Sequence, residues 1–562
     1  MRGADHPNGS RVSVYVTLLA AAAVGLIGCP SLCCVLWVYP KALELDGTQT
    51  TATLNVSDLC ESGGTLTWQA TPGASWLSVN PASGDGPGAV EVEVTHPSTK
   101  DMSYGRNTSS IRFTSNCGTD VVPVTAWFWP LVTFAEFYDE MPGSGFKAGG
   151  LTFSWEALYD IEATPDGGYI ACGWESLDAI SIKDVLQSDA YLLKTDLFGE
   201  RLWAINWGVA GNTSAQAVVV TSEGDYVVAG CEEIEDTGGA KGALEPGIYA
   251  QLTCVGPDGN IKWSKLYGEP GWIAWDVQQA PDGGFVLAGD NSWSGADDYD
   301  AFLIKTDADG NEEWAHLYPN DGDEYVWAVA VTPDNGYVLA GEAYSADLER
   351  AETRHRHAPN LLAADKNGSQ ADAMLLKTDE NGTQRWLKTL GGDYGDCAHG
   401  VIVVPAESGA DKDGAWQYAV CGESDSYGGG VYEVYLAVAD MMGEEEWHET
   451  YSCGGPAVGL DLALTPDSGF IIAGGCNSGA AKTDKYIWAS FMHESALLLQ
   501  VDSDGSQEWM QTLRPGIIHA LWAVTVAPDR GYAAAGYSMY IPDFIDVDAF
   551  IVKTDENGDI EP

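Results

Sequence analysis

Six residues with chemically useful side chains share one place in the sequence: each comes just after an apolar stretch that ends in Ala-Gly or a similar pair. They are Trp174, Glu232, Asp290, Glu342, Glu423 and Tyr537. Carboxylates that converge from different strands can hold a calcium ion or a cationic ligand. The alternative is that they are solvated side chains of a very acidic protein. The sequence thus indicates a candidate ligand site and leaves the identity of any metal unknown.

The remaining motifs do not point to catalysis. His355-Arg356-His357 lies in the longest insertion, where it could bind a metal or an acidic partner, or simply form a solvated basic loop. The chain contains no HExxH, no GxSxG elbow and no phosphate-binding loop. No catalytic residue is therefore predicted, and the sequence favours a binding protein over an enzyme.

The candidate residues belong to a unit that recurs seven times from about residue 131 to residue 562. Its first half contains a turn such as Pro165-Asp166-Gly167-Gly168, followed by an apolar strand. Its second half is a hairpin such as the one around Asp307-Ala308-Asp309-Gly310, followed by a tryptophan. Proline presets φ and glycine accepts positive φ, so both motifs predict hairpin turns and each unit predicts four antiparallel strands. The Asp307 segment lacks the distal glutamate of a calcium loop, which favours the turn.

Seven units of four strands predict a seven-bladed β-propeller, a ring of sheets around a central channel. The last unit stops where its outermost strand should begin, and an isolated strand at 132–138 precedes the first unit. We expect this N-terminal strand to complete the last blade and close the ring, which would remove a free sheet edge.

The repeats resemble PDGGY…AG…LIKTDxxGxxxW proteins of bacterial and archaeal envelopes. Their Asp-x-x-Gly-x-x-x-Trp spacing is also similar to the tryptophan-motif blades of quinoprotein-like propellers. The resemblance implies a fold and not an activity. A quinone-dependent enzyme would need cationic residues at its cofactor, and this chain is short of basic residues.

Strand alternation places the tight turns on one side of the predicted disc and the loops of variable length on the other. The variable loops are 174–188, 232–247, 344–371, 424–430, 477–494 and 538–547. Recognition usually lies on such loops. Most tryptophans are predicted to be core residues, but Trp272, Trp275, Trp327 and Trp522 lie near the loop side and could stack on sugar rings.

Residues 1–40 differ from the rest of the chain, because Arg2 and Arg11 precede an uncharged run at 12–39. This run is long enough to cross a bilayer and predicts an export signal or an anchor. Leu26-Ile27-Gly28-Cys29 resembles a bacterial lipobox, which would make Cys29 the lipidated residue. A retained transmembrane anchor and ordinary secretion remain open, and all three place the later residues outside the cytoplasm.

Residues 41–130 show short alternating strands and no helical period, which predicts a β-sandwich. The segment from Trp76 to Gly84 resembles the signature of BACON domains, immunoglobulin-like modules of exported bacterial proteins. This resemblance implies a spacer or a glycan-binding module. Cys60 and Cys117 are candidates for a disulfide across the sandwich.

The net charge of −55 makes nucleic acid an unlikely partner, since the surface repels phosphate. Taken together, the sequence predicts a membrane-tethered binding or scaffold protein of the cell envelope that faces the periplasm or the exterior. A glycan, a peptide or a protein on the cell surface would bind the loop side of the propeller. The sequence requires no cofactor, and calcium is the one ion that the acidic residues suggest. The alternatives are an extracytoplasmic propeller enzyme, quinoprotein-like or polysaccharide-acting, and a purely structural envelope protein.

Overall fold

The computed structural model of this protein divides into two compact units, Met1–Phe128 and Trp129–Pro562. It describes residues 36–45, 51–58, 66–74, 77–94, 105–116, 118–128, 134–138, 154–177, 188–208, 212–234, 244–292, 299–319, 322–344, 371–405, 416–427, 431–477, 494–513, 518–540 and 546–560. Strands and turns make up these ranges, so the described chain is all-β. Within them, no helix has the length and apolarity needed to cross a bilayer.

The first unit consists of nine described strands in two sheets. The strands are β1 (Leu36–Tyr39), β2 (Leu43–Leu45), β3 (Thr51–Asp58), β4 (Thr67–Pro72), β5 (Leu77–Asn80), β6 (Ser83–Asp85), β7 (Gly88–Val94), β8 (Gly105–Ser115) and β9 (Gly118–Phe128). One sheet has the order β1-β3-β7-β5 and the other the order β2-β9-β8-β4-β6. Side chains alternate between buried and exposed along β4, and one apolar core takes residues from both sheets, among them Leu54, Val90, Phe113 and Val122.

The first sheet begins inside the stretch that the sequence assigns to the anchor. Leu36–Tyr39 pair with β3, and Leu36 and Val38 are buried in the core. The boundary expected at residue 40 therefore lies at Leu36 or earlier, because the end of the apolar run is a core strand. Cys29 and the candidate disulfide pair Cys60 and Cys117 lie outside the described residues.

The second unit contains seven groups of four antiparallel strands, here sheets 1 to 7. Sheet 1 is β11 (Ser154–Ala163), β12 (Tyr169–Leu177), β13 (Asp189–Thr195) and β14 (Arg201–Trp207); sheet 2 is β15 (Thr213–Val220), β16 (Tyr226–Ile234), β17 (Gly247–Val255) and β18 (Ile261–Tyr267). Sheet 3 is β19 (Ile273–Gln279), β20 (Phe285–Asp290), β21 (Ala301–Thr306) and β22 (Glu312–Tyr318); sheet 4 is β23 (Glu324–Val331), β24 (Tyr337–Tyr344), β25 (Ala371–Thr378) and β26 (Gln384–Leu390). Sheet 5 is β27 (Asp396–Pro405), β28 (Trp416–Ser424), β29 (Glu433–Asp440) and β30 (Glu445–Tyr451); sheet 6 is β31 (Ala457–Leu464), β32 (Phe470–Cys476), β33 (Ser495–Val501) and β34 (Gln507–Leu513).

Sheet 7 takes its fourth strand from the start of the unit. It consists of β35 (Ile518–Val526), β36 (Tyr532–Tyr540), β37 (Asp546–Thr554) and β10 (Phe134–Tyr138), which pairs antiparallel with β37. The sequence predicts this pairing. A single parallel bridge between Trp155 and Val547 links sheets 1 and 7.

The sheets pack face to face in sequence order. The first strands β11, β15, β19, β23, β27, β31 and β35 each contact the next, and β35 also contacts β11. Apolar clusters fill the spaces between neighbouring sheets, as with Ala217 and Leu252 of sheet 2 against Val277 and Leu287 of sheet 3. One such cluster joins sheets 7 and 1.

In four of the sheets, side-chain contacts explain why the Pro-Asp turn and the lysine of the repeat occur together. In sheets 1, 3, 4 and 7 a buried lysine reaches back to the aspartate of the Pro-Asp turn; Lys305 Nζ lies 2.8 Å from Asp282 Oδ2 and donates to the Thr306 carbonyl at 2.8 Å. The second glycine of the turn makes room for this ammonium group, because a Cβ on Gly284 would collide with it. In the other tight turn Asp307 accepts hydrogen bonds from the Asp309 and Asn311 amides, as expected for a hairpin turn.

Each repeat tryptophan packs on the next sheet. Trp263 of sheet 2 covers Gly310 in the turn of sheet 3, where a side chain would not fit. Beside it, the Tyr267 hydroxyl donates to the Gly310 carbonyl at 2.7 Å. The N-terminal strand repeats this contact, because the Tyr138 hydroxyl donates at 2.6 Å to the carbonyl of Gly199 in sheet 1.

A candidate ligand site on the first strands

Every first strand carries a β-bulge, an extra residue opposite a single partner. The register shifts between Leu158 and Asp160 in β11 and at the same place in the other six strands. The extra residues are Tyr159, Gln216, Trp275, Trp327, His399, Leu460 and Trp522. At each bulge a backbone carbonyl approaches a glycine of the second strand so closely that a Cβ could not fit. This requirement explains the glycine of the repeated Ala-Gly ending, as at Gly341 and Gly536.

Three aspartates directly follow their bulges and join neighbouring sheets in pairs. Asp160 accepts from the Ile161 amide at 2.8 Å and from the Val218 amide of sheet 2 at 2.7 Å. Asp276 does the same for Val277 and for Val329 of sheet 4, and Asp461 for Leu462 and for Val524 of sheet 7. Each carboxylate thus satisfies two backbone donors and links sheets 1 and 2, 3 and 4, or 6 and 7.

The three aspartates and Glu162 influence one another across the unit. Burial raises the pKa of Asp160 to about 6, of Asp461 to about 7 and of Asp276 to about 8. Burial, followed by the charges of all three aspartates, raises the pKa of Glu162 to about 8. Carboxylates from sheets 1, 3 and 6 therefore lie close enough to repel one another.

Five of the six residues predicted from the sequence lie near these bulges, at one equivalent position. Trp174, Asp290, Glu342, Glu423 and Tyr537 directly follow the bulge glycine of their second strands. In sheet 2 this position is Cys231, so Glu232 is one residue further along. Since side chains alternate along a strand, Glu232 points to the other face, where it accepts a hydrogen bond from Gln251.

Sheets 3, 4 and 5 form an acidic side, defined as Asp290, Glu342 and Glu423 with the bulge residues Trp275, Trp327 and His399. Asp290 is fully buried, accepts from Trp275 Nε1 at 2.8 Å, and has a pKa that burial raises. Burial and then the Asp290 charge raise the pKa of Glu342 to about 7. Burial and then the Glu342 charge raise the pKa of Glu423 to about 8. Within the described ranges, no positive side chain contributes to these shifts.

Sheets 6, 7 and 1 form an apolar side, defined as Tyr537, Trp174, Leu460, Trp522 and Tyr159. These side chains pack in one cluster. Trp174 Nε1 donates to the Tyr159 hydroxyl at 2.7 Å, and the Tyr159 and Trp522 rings are 5.2 Å apart. Trp174 and Tyr537 therefore take part in packing, unlike the three carboxylates at the same position.

The structure adds two residues to the acidic side that the sequence reasoning missed. His399 is a bulge residue whose pKa burial lowers to about 4, so the ring is neutral at pH 7. The buried Cys397 thiol has a pKa raised by burial and then by the charges of Glu342 and Glu423. No motif marks either residue, but alignment of the seven first strands would place His399 with the three tryptophans.

The remaining candidate residues from the sequence lie outside the acidic side and the apolar side. Among the described residues, no three His, Cys, Asp or Glu side chains are grouped so as to hold a metal ion. Trp272 stacks on Phe302 with ring centroids 4.5 Å apart and so belongs to the packing between strands. His355-Arg356-His357 lies outside the described residues. Cys453 and Cys476 form a disulfide that the sequence reasoning did not single out.

Comparison with known proteins adds a family match for the first unit. Residues 35–126 match the family model of the viral BACON domain. No curated protein matches the chain significantly.

Similarity to solved structures is low throughout. A Bacteroides ovatus xyloglucanase is 14% identical over 24% of this chain and 28% of its own length, with a TM-score of 0.14. A Synechocystis apocarotenoid oxygenase is 12% identical, covering 81% and 91%, with a TM-score of 0.37. A quinoprotein alcohol dehydrogenase-like protein of Bacteroides thetaiotaomicron is 11% identical, covering 84% and 94%, with a TM-score of 0.31. At these values the similarities do not extend to activity.

Proposed function

We propose that the second unit is a seven-bladed propeller, with the seven first strands around a central channel. Three observations support this arrangement: the contacts of the first strands return from β35 to β11, an apolar cluster joins sheets 7 and 1, and Tyr138 repeats the inter-sheet contact of Tyr267. Asp160, Asp276 and Asp461 are half-buried, so solvent reaches part of each residue, yet burial is the main cause of their raised pKa values. This combination fits side chains that line a narrow channel.

We propose that the chain is exported and tethered to a membrane, with the first unit as an immunoglobulin-like spacer. The apolar residues after Cys29 are the main objection to a lipobox, and Leu36–Tyr39 belong to a core strand instead. This favours Cys29 as a lipidated residue over a retained anchor. The disulfide between Cys453 and Cys476 is typical of exported proteins.

Labelling with a palmitate analogue tests the anchor. In a bacterial host we expect the full-length protein to incorporate the label and Cys29→Ser to lose it. Membrane association of the variant without label would instead support a retained transmembrane anchor.

Within this architecture we propose a binding or scaffold function, with a surface glycan or protein as the partner and the acidic side as the site. The convergence of Asp290, Glu342 and Glu423 from three successive sheets carries this proposal. Burial disfavours the charged form of each carboxylate, and no cationic side chain of the described residues offsets this effect. A ligand that supplies hydrogen-bond donors or positive charge would lower this penalty, and strongly shifted groups are enriched at functional sites.

A thermal-melt screen of the full-length protein against oligosaccharides and basic peptides tests the site, since a ligand of the native state raises the midpoint. We expect at least one class to raise it, and Glu342→Gln/Glu423→Gln to abolish the rise. The exposed pair Glu380→Gln/Asp504→Asn is the charge-matched control and should retain it. A rise that survives in Glu342→Gln/Glu423→Gln would place the site elsewhere.

One observation favours a second candidate, a polysaccharide-acting enzyme. Glu342 and Glu423 have pKa values of about 7 and 8, and a carboxylic acid that stays protonated near neutral pH can act as a general acid beside a second carboxylate. Release of reducing ends from a polysaccharide, lost in Glu423→Gln, would support the enzyme. Binding without release would support the binding protein.

A further inference from the structure

Three of the bulge residues form a continuous row of aromatic rings. The Trp275 and Trp327 ring centroids are 5.1 Å apart, and those of Trp327 and His399 are 5.8 Å apart. All three side chains are half-buried, so part of each ring faces solvent. We call this row the aromatic arc. Flat, partly exposed rings can stack on the apolar face of a ligand.

The polar atoms of the arc are unevenly satisfied. Trp275 Nε1 donates to Asp290, which fixes that ring. Trp327 Nε1 and His399 Nε2 are enclosed and have no hydrogen-bond partner in the described part of the chain. The sulfur of Cys397 lies beside the Trp327 indole without completing a hydrogen bond of normal geometry. Enclosed ring nitrogens without partners are uncommon in native proteins and call for a specific cause.

Glu342 and Glu423, the two glutamates beside the arc, receive few hydrogen bonds from the described residues. Glu342 receives one long hydrogen bond, from the Tyr344 hydroxyl at 3.4 Å, and Glu423 receives none from a described residue. The acidic side thus combines unpaired ring nitrogens with under-used acceptors. A metal ion or an organic cation would serve the carboxylates and a neutral imidazole nitrogen, but neither can accept a hydrogen bond from the Trp327 indole N–H. A hydroxyl group both donates and accepts, so a polyol can serve the indole as well as the carboxylates.

The Trp275 and Trp327 ring planes are tilted by 53°, so one flat ligand face can lie parallel to only one of them. We infer that the aromatic arc binds a neutral sugar ring, which stacks on Trp327 through its C–H face, touches Trp275 with its edge, and shares its hydroxyl groups between Glu342, Glu423 and the ring nitrogens of Trp327 and His399. The inference rests on the binding function proposed for the acidic side and names the class of ligand.

Titration of the full-length protein with cellohexaose, xylohexaose, mannohexaose and chitohexaose, followed by tryptophan fluorescence and calorimetry, tests this inference. We expect at least one sugar to bind and Trp327→Ala to weaken it by about tenfold or more, as loss of a stacked ring predicts. Trp522→Ala is the matched control, because Trp522 is the bulge residue of sheet 7 on the apolar side. It should change the affinity by less than about twofold. Melting curves without ligand verify that both variants are folded.

Spermidine, titrated in parallel, separates the two proposals. Spermidine binding that depends on Glu342 and Glu423, with no sugar binding, would overturn the sugar and preserve the binding function of the acidic side. Sugar binding of equal strength in Trp327→Ala would overturn the role of the arc. Failure of all five probes to bind would overturn the sugar inference, and the binding function of the acidic side would then depend on the basic peptides of the thermal-melt screen.

Discussion

The acidic side and the apolar side occupy the same backbone positions of one repeat and differ only in side chains. On the apolar side Trp174 and Tyr537 follow the bulge glycines of sheets 1 and 7 and pack with the bulge residue Leu460 of sheet 6. On the acidic side the positions of Trp174 and Tyr537 are taken by Asp290, Glu342 and Glu423, which are costly to bury and have no positive partner among the described residues. A repeat that can be packed with aromatic residues at this position in two sheets has no structural need for carboxylates in three others. The difference between the sides therefore points to function more strongly than either side alone.

The largest expected effect tests whether the bulges of the two sides have the same backbone geometry. Gly341→Ala on the acidic side and Gly536→Ala on the apolar side each place a Cβ against a bulge carbonyl that cannot move without opening the strand pair. We expect both to lower the free energy of unfolding by about 4 kcal/mol, the range of severe steric changes, as measured by urea denaturation. Unequal losses would show that the bulges of the two sides differ in rigidity.

The next effect concerns the paired sheets. Asp461→Ala removes the acceptor of the Leu462 and Val524 amides, and we expect a loss of about 2 to 3 kcal/mol at pH 5. At pH 8 the loss should be smaller. The native pKa of about 7 lies above the ordinary value of 3.8, so the wild type itself loses stability as the pH rises between them, and the variant does not. An equal loss at both values of pH would contradict the raised pKa.

A smaller effect separates the sides by pH alone. Glu342 and Glu423 titrate in the native state at about 7 and 8, above their ordinary value of 4.5, so they reduce stability as the pH rises from 5 to 8.5. We expect Glu342→Gln/Glu423→Gln to reduce the fall in the free energy of unfolding between pH 5 and pH 8.5 by an amount on the order of 2 kcal/mol, after allowance for solvent screening, as measured by urea denaturation at each pH. Trp174→Phe/Tyr537→Phe on the apolar side should leave the slope unchanged. A parallel shift of the whole curve in the glutamine variant would indicate lost packing instead of lost charge.

Local patterns predicted much of this architecture. The Pro-Asp and Asp-x-x-Gly turns, the four strands of each unit and the pairing of residues 134–138 with the last strand all follow from turn chemistry and alternation. The first sheet begins earlier in the chain than residue 41, the predicted start of the β-sandwich. The reason is that a membrane anchor and a core strand such as Leu36–Tyr39 are both apolar runs in the sequence.

The chemistry of the bulges was not predictable in the same way. Asp160 and Asp461 act through amides of neighbouring sheets that lie far away in the sequence. The roles of His399 and Cys397 depend on three-dimensional neighbours. Alternation in a single sequence shows that neighbouring side chains lie on opposite faces of a strand, but it does not show which face is which. A bulge also reverses the assignment for the residues that follow it.

The smallest expected effect follows from this point about register. Glu232 shares residue type and motif with Glu342, but it follows Cys231, and its carboxylate faces Gln251 on the other side of β16. We expect Glu232→Gln to change ligand affinity by less than about 0.5 kcal/mol, whereas Glu342→Gln abolishes or strongly weakens binding. Calorimetry with whichever hexasaccharide binds best measures both. An equal loss in the two variants would mean that the ligand recognises acidic charge outside sheets 3, 4 and 5 as well, and the distinction between an acidic and an apolar side would no longer hold.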